Sequence, residues 1–510
     1  MCRITKNSGI ILIICLILQS SALSTDFAGG KGEPNNPYQI ATAGDLMLLG
    51  ESPEYYDKHF ILTADINLDP NLPGRKAFDK AVIAPDANGL EGFFQGTPFT
   101  GVFDGNGYTI SHLTITGAGY LGLFGQLGSG AKISNLGLEM VDVNGADDYV
   151  GSLVGWNYHG SIISCYSVGT VKGDGSVGGL VGWNYHGSII SSYSTGTVDG
   201  NGSVGGLVGS NSGSITAGYS TCVVLGVSDV GGLVGSNSGN IAMSYSTGMI
   251  TGTTWDIGGL VGDNYYGSIT SSFWDVETSE HLNSGGGTGL TTSEMQDFNT
   301  FLDTGWDFVN ENLNGTCDYW QISPGDYPQL RSHSGDNPVM PGGLGTAQQP
   351  YLIRDAGDLG AVWFEPMAHY RLGASLDLSE ITWSTAVVPW FGGTFDGNGY
   401  VISNLHIQGG EYQGLFGQLG SGAIISNLGL EAIDVNGTGD YVGGLAGYNY
   451  EGNINMCFGT GTVSGSYYIG GLVGESNYGS ITSSYSATIV SGNKYLGGLV
   501  GNNNTSAISS

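Results

Sequence analysis

Positive charge is scarce in this sequence: 13 Lys and Arg stand against 44 Asp and Glu in 510 residues, a formal net charge of -31 and a pI ≈ 4.1. Nucleic acid, anionic lipid surfaces and polyanionic substrates would be repelled before contact, which leaves cations, neutral glycans and proteins as partners. Proline is also sparse, at 14 residues, and although glycine reaches 92 there is no G-x-y period, so collagen is excluded and turn-rich β structure is favoured. Cysteine numbers only six. Of these, Cys165, Cys222, Cys317 and Cys457 lie beyond the N-terminal region, too thinly spread for a disulfide scaffold and without the CxxC spacing of a zinc site. They read as packed free thiols. Long hydrophobic runs are missing too. The longest, Ile10 to Leu18, is about half of the roughly 18 residues that a membrane span needs. Preceded by Arg3 and Lys6 and followed by Ser20, Ser21, Ala22, Leu23 and Ser24, it has the layout of a secretory signal peptide cleaved after Ser24. The chain is therefore expected to be exported, with no transmembrane segment after cleavage. What remains is 40% apolar and 11% aromatic, with 28 Tyr, which argues for packed cores and against disorder.

The pentapeptide GGLVG, or a near variant, recurs with its leucine at Leu153, Leu180, Leu207, Leu233 and Leu260, then again at Leu445, Leu472 and Leu499, at spacings of 26 or 27. A period of that length means stacked units that bury their apolar faces only against their neighbours. Within one unit Leu180, Ile189, Tyr193 and Val198 recur in kind from coil to coil, separated by Ser, Thr, Asn and Gly. Short β-branched and aromatic pieces between Gly/Asn turns predict three short strands per coil of about 27 residues, stacked about 4.8 Å apart.

The array is itself duplicated. FDGNGYTISHLTI from Phe103 matches FDGNGYVISNLHI from Phe395 at an offset of 292, while NNPYQIATAGDL matches QQPYLIRDAGDL at 313, so the second copy is shorter by 313 − 292 = 21 residues upstream of the turn. The organisation expected is a signal peptide over 1–24, a lead-in and capping segment over 25–102, a first solenoid over 103–275 and a closing module over 276–331. A linker over 332–343, a second lead-in over 344–394 and a second solenoid over 395–510 follow. The second copy stops in mid-repeat, which reads as a fragment of a longer protein or a frayed last coil. In the closing module, Thr291 or Thr292 followed by Ser293, Glu294 and Met295 looks like a helix start, which makes the module a small α/β unit over the last coil.

Units of the form GGLVGxNxGxIxxSYSxGxV resemble the GLUG motif, and the resemblance runs from Leu123 to Trp274 and from Leu415 to the C-terminus. The GGLGTAQQPYLI lead-in and the FWD to YPQL tail are similar to segments that flank such arrays. The resemblance implies an all-β fold of two tandem parallel β-helices, and an exported bacterial protein that is secreted or held at the cell surface. It implies no defined activity.

Two WNYHG corners carry the most distinctive side chains: Trp156, Tyr158 and His159, then Trp183, Tyr185 and His186 one coil later. Equal coil positions would stack them into an aromatic column, loosely continued by Tyr265 and Tyr266 and echoed by Tyr448 and Tyr450. Such rings suit the apolar faces of sugars, and the plainer alternative is that like-on-like stacking serves the solenoid itself. Two histidines without a third ligand make no metal site. A second column, Asp147, Asp148, Asp174, Asp199, Asp229 and Asp256, falls before successive GGL strands and could hold Ca²⁺ through oxygen ligands. Neither the GGxGxDxUx repeat nor the DxDxDG loop of calcium sites is present, and solvated turns explain these residues as well. No other cofactor is expected. Asp104 and Asp396, in FDGNG, read as turn formers.

The function expected is a non-catalytic spacer or adhesion module that binds a neutral glycan or a surface protein. The alternative is a carbohydrate-active β-helix enzyme, glycoside hydrolase or lyase, with a groove along the rod. Against it stand the near-constant period and the lack of an acidic cluster that breaks the repeat. The first array also has only Lys132 and Lys172 to neutralise acidic sugars. No catalytic residue is assigned. Only the stretch from Asp69 to Thr100, with Arg75, Lys76, Asp79, Lys80, Asp86 and Glu91, breaks the symmetry of the two copies.

Overall fold

The structure is a computed structural model that describes residues 27–87, 94–309, 320–331, 340–379, 381–383 and 385–509. The expected signal peptide, Cys317, Glu91 and residues 332–339 of the expected linker lie outside these residues. The first copy winds into a parallel β-solenoid in which one sheet stacks nine strands, from Tyr38–Ile40 to Ser268–Thr270, with sheets of twelve, six and four strands on the other sides. The second copy repeats the plan with sheets of seven, seven, five and three strands. Among the described strands the pairs within the coils are parallel, and Trp320–Gln321 with Gln329–Leu330 is antiparallel.

Each coil is built from the same few side chains. Leu153, Leu180, Leu207, Leu233 and Leu260 point inward and are fully buried, as are Ile162, Ile189, Ile215 and Ile241 opposite them. Val171, Val198 and Val224 fill the third side. Tyr193 recurs with them in the sequence but stands outside the core, only part-buried. The last glycine of GGLVG is required by close approach: a Cβ on Gly182, Gly209 or Gly235 would lie 2.4–2.6 Å from backbone atoms of the preceding coil. The expectation of three strands per coil is corrected to four. Val177–Gly178, Val204–Gly205, Val230–Gly231 and Ile257–Gly258 form a sheet of their own, because a β-branched residue beside each corner, fully buried at Val177, Val204 and Val230, stacks in register with its equivalents. Two residues among glycine and serine turns give too short a pattern to read as a strand.

Both lead-in segments carry, after a first short strand, a helix that the sequence reading passed over, Ala43–Glu51 and Ala356–Gly360. Their caps are legible as TAGD and DAGD. Thr42 accepts from the Asp45 amide in a full capping box, and Asp355 accepts from the Asp358 amide. The helix start at Thr291 is present, with Thr291 and Glu294 forming another capping box over Thr292–Met295. The closing module does more than sit over the last coil. Thr288–Leu290 pairs with Phe273–Asp275 at the end of the stack, and a buried knot of Phe301, Trp306, Phe308 and Trp320 covers the flank at Tyr219 and Tyr245. Trp274 turns the other way, into the core end, where it lies against Gly259.

The two solenoids touch along their sides. Lys132 of the first forms a part-buried ion pair with Glu365 of the second lead-in, which also accepts a hydrogen bond of 3.0 Å from the Tyr351 hydroxyl. Farther along, Gln418 donates to Asn240 at 3.5 Å.

Candidate functional site

Parallel in-register pairing turns every repeated side chain into a ladder, and the WNYHG corners form the first. Trp156 pairs with Trp183 and Tyr158 with Tyr185 across adjacent coils. Their rings stack at 5.3 Å and 6° for the tryptophans, 5.4 Å and 5° for the tyrosines, and 5.3 Å and 23° for His159 over His186. The column forms as its spacing implies. Its faces, however, are largely used within it: Tyr149 stacks on both tryptophans and Tyr120 lies against Trp156. What the ladder presents outward is mainly ring edge, most of all at Tyr158, which is 38% exposed. Burial lowers the pKa of both imidazoles. His186 adds to the effect on His159, whereas Glu451 of the second solenoid opposes it at His186.

Beneath the rings runs a ladder that sequence reasoning missed. Asn157, Asn184, Asn211, Asn237 and Asn264 occupy one position, and each Nδ2 donates to the next Oδ1 at 2.8 Å. The same side chains fold the corner. Asn157 bonds to both the amide and the carbonyl of Gly160, three residues on, and Asn184 to the Gly187 carbonyl. In the next two coils the partners of Asn211 and Asn237 are Gly213 and Gly239, only two residues on. Those corners have lost one residue, and Ser210, Ser212, Ser236 and Ser238 replace the aromatic rings. At Asn264 the longer corner returns, with Tyr265 and Tyr266 strongly exposed. The tyrosines expected to continue the column therefore stand apart from it, beyond a gap two coils wide.

That gap opens into a cleft of ≈ 570 Å³ between the two solenoids. The first supplies His159, His186, Ser212, Ser238 and Tyr266; the second supplies Trp390, Tyr412, Gln418, Tyr448, Tyr450 and Glu475. Tyr448 and Tyr450, expected to echo the column, thus face it across the cleft rather than build a second one. The stacked tyrosine run of the second solenoid is elsewhere, at Tyr412, Tyr441, Tyr468 and Tyr495, with centroids 4.7–5.0 Å apart. Burial raises the pKa of Glu475, with side-chain hydrogen bonds to Asn502 and Asn477 working against the shift. Its carboxyl is therefore held above the ordinary range.

The acidic column disperses over the turns. Asp174 accepts from Asn201 at 2.6 Å and Asp199 lies 3.7 Å from Lys172. Burial, then the charges of Asp263 and Asp256, raise the pKa of Asp229. Among the described residues no three His, Cys, Asp or Glu side chains are grouped to hold a metal ion. Asp104 and Asp396 form turns: each accepts from the amide two residues on at 2.9 Å and from an asparagine of the next coil at 3.0 Å. Cys165, Cys222 and Cys457 are free and buried, with burial pushing Cys165 up to about 12 and the other two up to about 11. Lys76, Asp79, Lys80 and Asp86 of the symmetry-breaking stretch line a second cleft of ≈ 700 Å³, together with Met47 and Tyr56 from outside it.

Fold and ladders together define a parallel β-solenoid protein. Within that class the chain carries the GLUG motif, matched over residues 148–172 and 173–199. A 149-residue stretch, 28% of the chain, is 34% identical to Halomucin of Haloquadratum walsbyi. Another of 163 residues, 29% of the chain, is 38% identical to a "Putative Gly-rich membrane protein" of Evansella cellulosilytica. The chain spans 2% and 17% of the lengths of these two relatives. Among solved structures, a "putative immunoglobulin A1 protease" from Bacteroides ovatus superposes with a TM-score of 0.45 at 21% identity, covering 60% of this chain and 95% of that one. No helix among the described residues is long and apolar enough to cross a membrane.

Proposed function

We propose that this protein is exported and works at the cell surface as a non-catalytic solenoid, a spacer and adhesion module that binds a neutral glycan or a surface protein. The observation that carries the reading is the architecture of the coils. The repeated side chains are committed to ladders that hold the stack together, and the corner edge presents tyrosine rings and serine hydroxyls. The names of the two relatives, Halomucin and a "Putative Gly-rich membrane protein", agree with a surface role. The strong negative charge favours an uncharged partner over an anionic one. The test is a glycan array and pull-down with the full chain beside a Tyr158→Ala/Tyr185→Ala double variant, with a reducing-sugar assay on every binder. Binding without sugar release is expected, and release of reducing ends would contradict the non-catalytic reading.

A further inference from the structure

The trough between the ladder end and Tyr266 is a built feature. Two consecutive corners are each one residue shorter than those on either side, and both carry Ser in place of the Trp and Tyr of the WNYHG corners and lack the His. A solenoid edge that only had to stack would keep one corner type throughout. Here His186 walls one side, Tyr266 the other, and Ser212, Gly213, Ser238 and Gly239 form a floor of hydroxyl and backbone groups. The second solenoid roofs this floor with the aromatic rings of Trp390, Tyr448 and Tyr450. We propose that this cleft between the solenoids is a binding site for a short neutral oligosaccharide, seated with its hydroxyls on the serine floor and a sugar face against the roofing rings.

The chemistry of the lining selects that class. Aromatic rings offer large, stiff contact area to the C–H faces of sugars, and convergent hydroxyl, amide and imidazole groups meet the ligand's hydroxyls. No Lys or Arg is among the described residues of the lining, so an anionic sugar would find no counter-charge. Glu475 is the single carboxyl among the described residues of the lining. Asn477 adds a polar atom in want of a partner: its Nδ2 donates to the Tyr448 hydroxyl at 2.7 Å, while its Oδ1 is buried with no hydrogen bond. The volume of ≈ 570 Å³ falls within the usual range for small-ligand sites, roughly 300–1,000 Å³.

The inference rests on the adhesion reading but places the ligand away from the exposed Tyr158/Tyr185 edge, so the two can fail separately. The full chain is titrated by calorimetry with cellotriose, maltotriose, xylotriose and tri-N-acetylchitotriose, with trigalacturonate as the anionic control. Two variants attack the cleft from opposite sides. Ser212→Tyr/Ser238→Tyr extends the native tyrosine ladder across the trough and fills it, and Trp390→Ala removes a roofing ring. Tyr158→Ala serves as the edge control. At least one neutral trisaccharide is expected to bind, the uronate is not, and each cleft variant should weaken binding at least about tenfold, more than Tyr158→Ala does. Loss of binding in Tyr158→Ala alone would overturn the cleft site and leave the edge reading standing. Failure of every neutral trisaccharide to bind the unaltered chain would overturn the inference and leave the spacer role.

Discussion

At the scale of single residues, the asparagine ladder does two jobs with one side chain. It folds each corner and ties it to the next coil. Asn211, in the middle of the run and almost fully buried, bonds to both neighbouring coils. Asn211→Ala should strand buried partners on each side and destabilise the fold by about 1–3 kcal/mol, read from urea unfolding of the full chain. A neutral effect would mean that the ladder follows from stacking rather than supporting it. The stacked histidines make a prediction of their own. Their folded pKa values lie below the ordinary 6.5, so the unfolded chain binds protons more readily. Their contribution to stability is therefore present above that value and lost as pH falls through the folded pKa. The drop in Tm between about pH 7.5 and about pH 5.5 should be smaller in His159→Gln/His186→Gln than in the unaltered chain. Residue roles of this kind were partly legible. Inward Leu180, Ile189 and Val198 announced themselves by hydrophobicity and period, as did the Trp156 and Trp183 positions. The asparagines did not, because polar identity within a Ser/Gly/Asn turn carries no hydropathy signal, although their fixed place two residues after GGLVG was there to be read.

At the scale of elements, corner length decides what an edge can present. A corner that reaches its glycine after three residues puts His159, His186 and Tyr266 in the left-handed region, with φ of 61, 51 and 60, and presents a ring beside it. The shorter corner cannot. The 26-residue spacing between Leu207 and Leu233 was visible in the sequence, but a one-residue difference in a period has no meaning until the coil shows where it falls. The closing module shows the same division. Its helix start was readable from Thr291 and Glu294, whereas the grip of Trp306 on the outer flank of the coils was not, since contacts across 35 residues or more leave no local pattern. Trp306 is fully buried between Tyr245, Phe301 and Trp320, and its Nε1 donates to the Ser271 carbonyl at 2.9 Å. Trp306→Ala should cost about 3–5 kcal/mol of module stability, followed by limited proteolysis across residues 276–331. Resistance equal to that of the unaltered chain would show that strand pairing alone holds the module.

At the scale of the whole molecule, duplication was legible to the residue: Phe103 and Phe395, 292 apart, are both fully buried at the same place in their coils. How the copies sit together was not. Side packing depends on a few side chains from distant coils, Lys132 with Glu365 and Asn240 with Gln418, and nothing in the repeat pattern marks them as partners. Glu365 is the more buried partner of its ion pair and holds the Tyr351 hydroxyl as well. Removing its charge would leave Lys132 part-buried beside a neutral amide. Glu365→Gln should therefore loosen the pair of solenoids, seen as faster deuterium uptake around residues 132 and 365, with the coil cores unchanged. The cleft and the function proposed for it both depend on the two corner edges facing each other. The direct measurement is cross-linking of an Asn240→Cys/Gln418→Cys variant with a short bis-maleimide, read by mass spectrometry. The account predicts an intramolecular link between the peptides that carry residues 240 and 418. Two thiols that each react with a monofunctional maleimide but never join would contradict it.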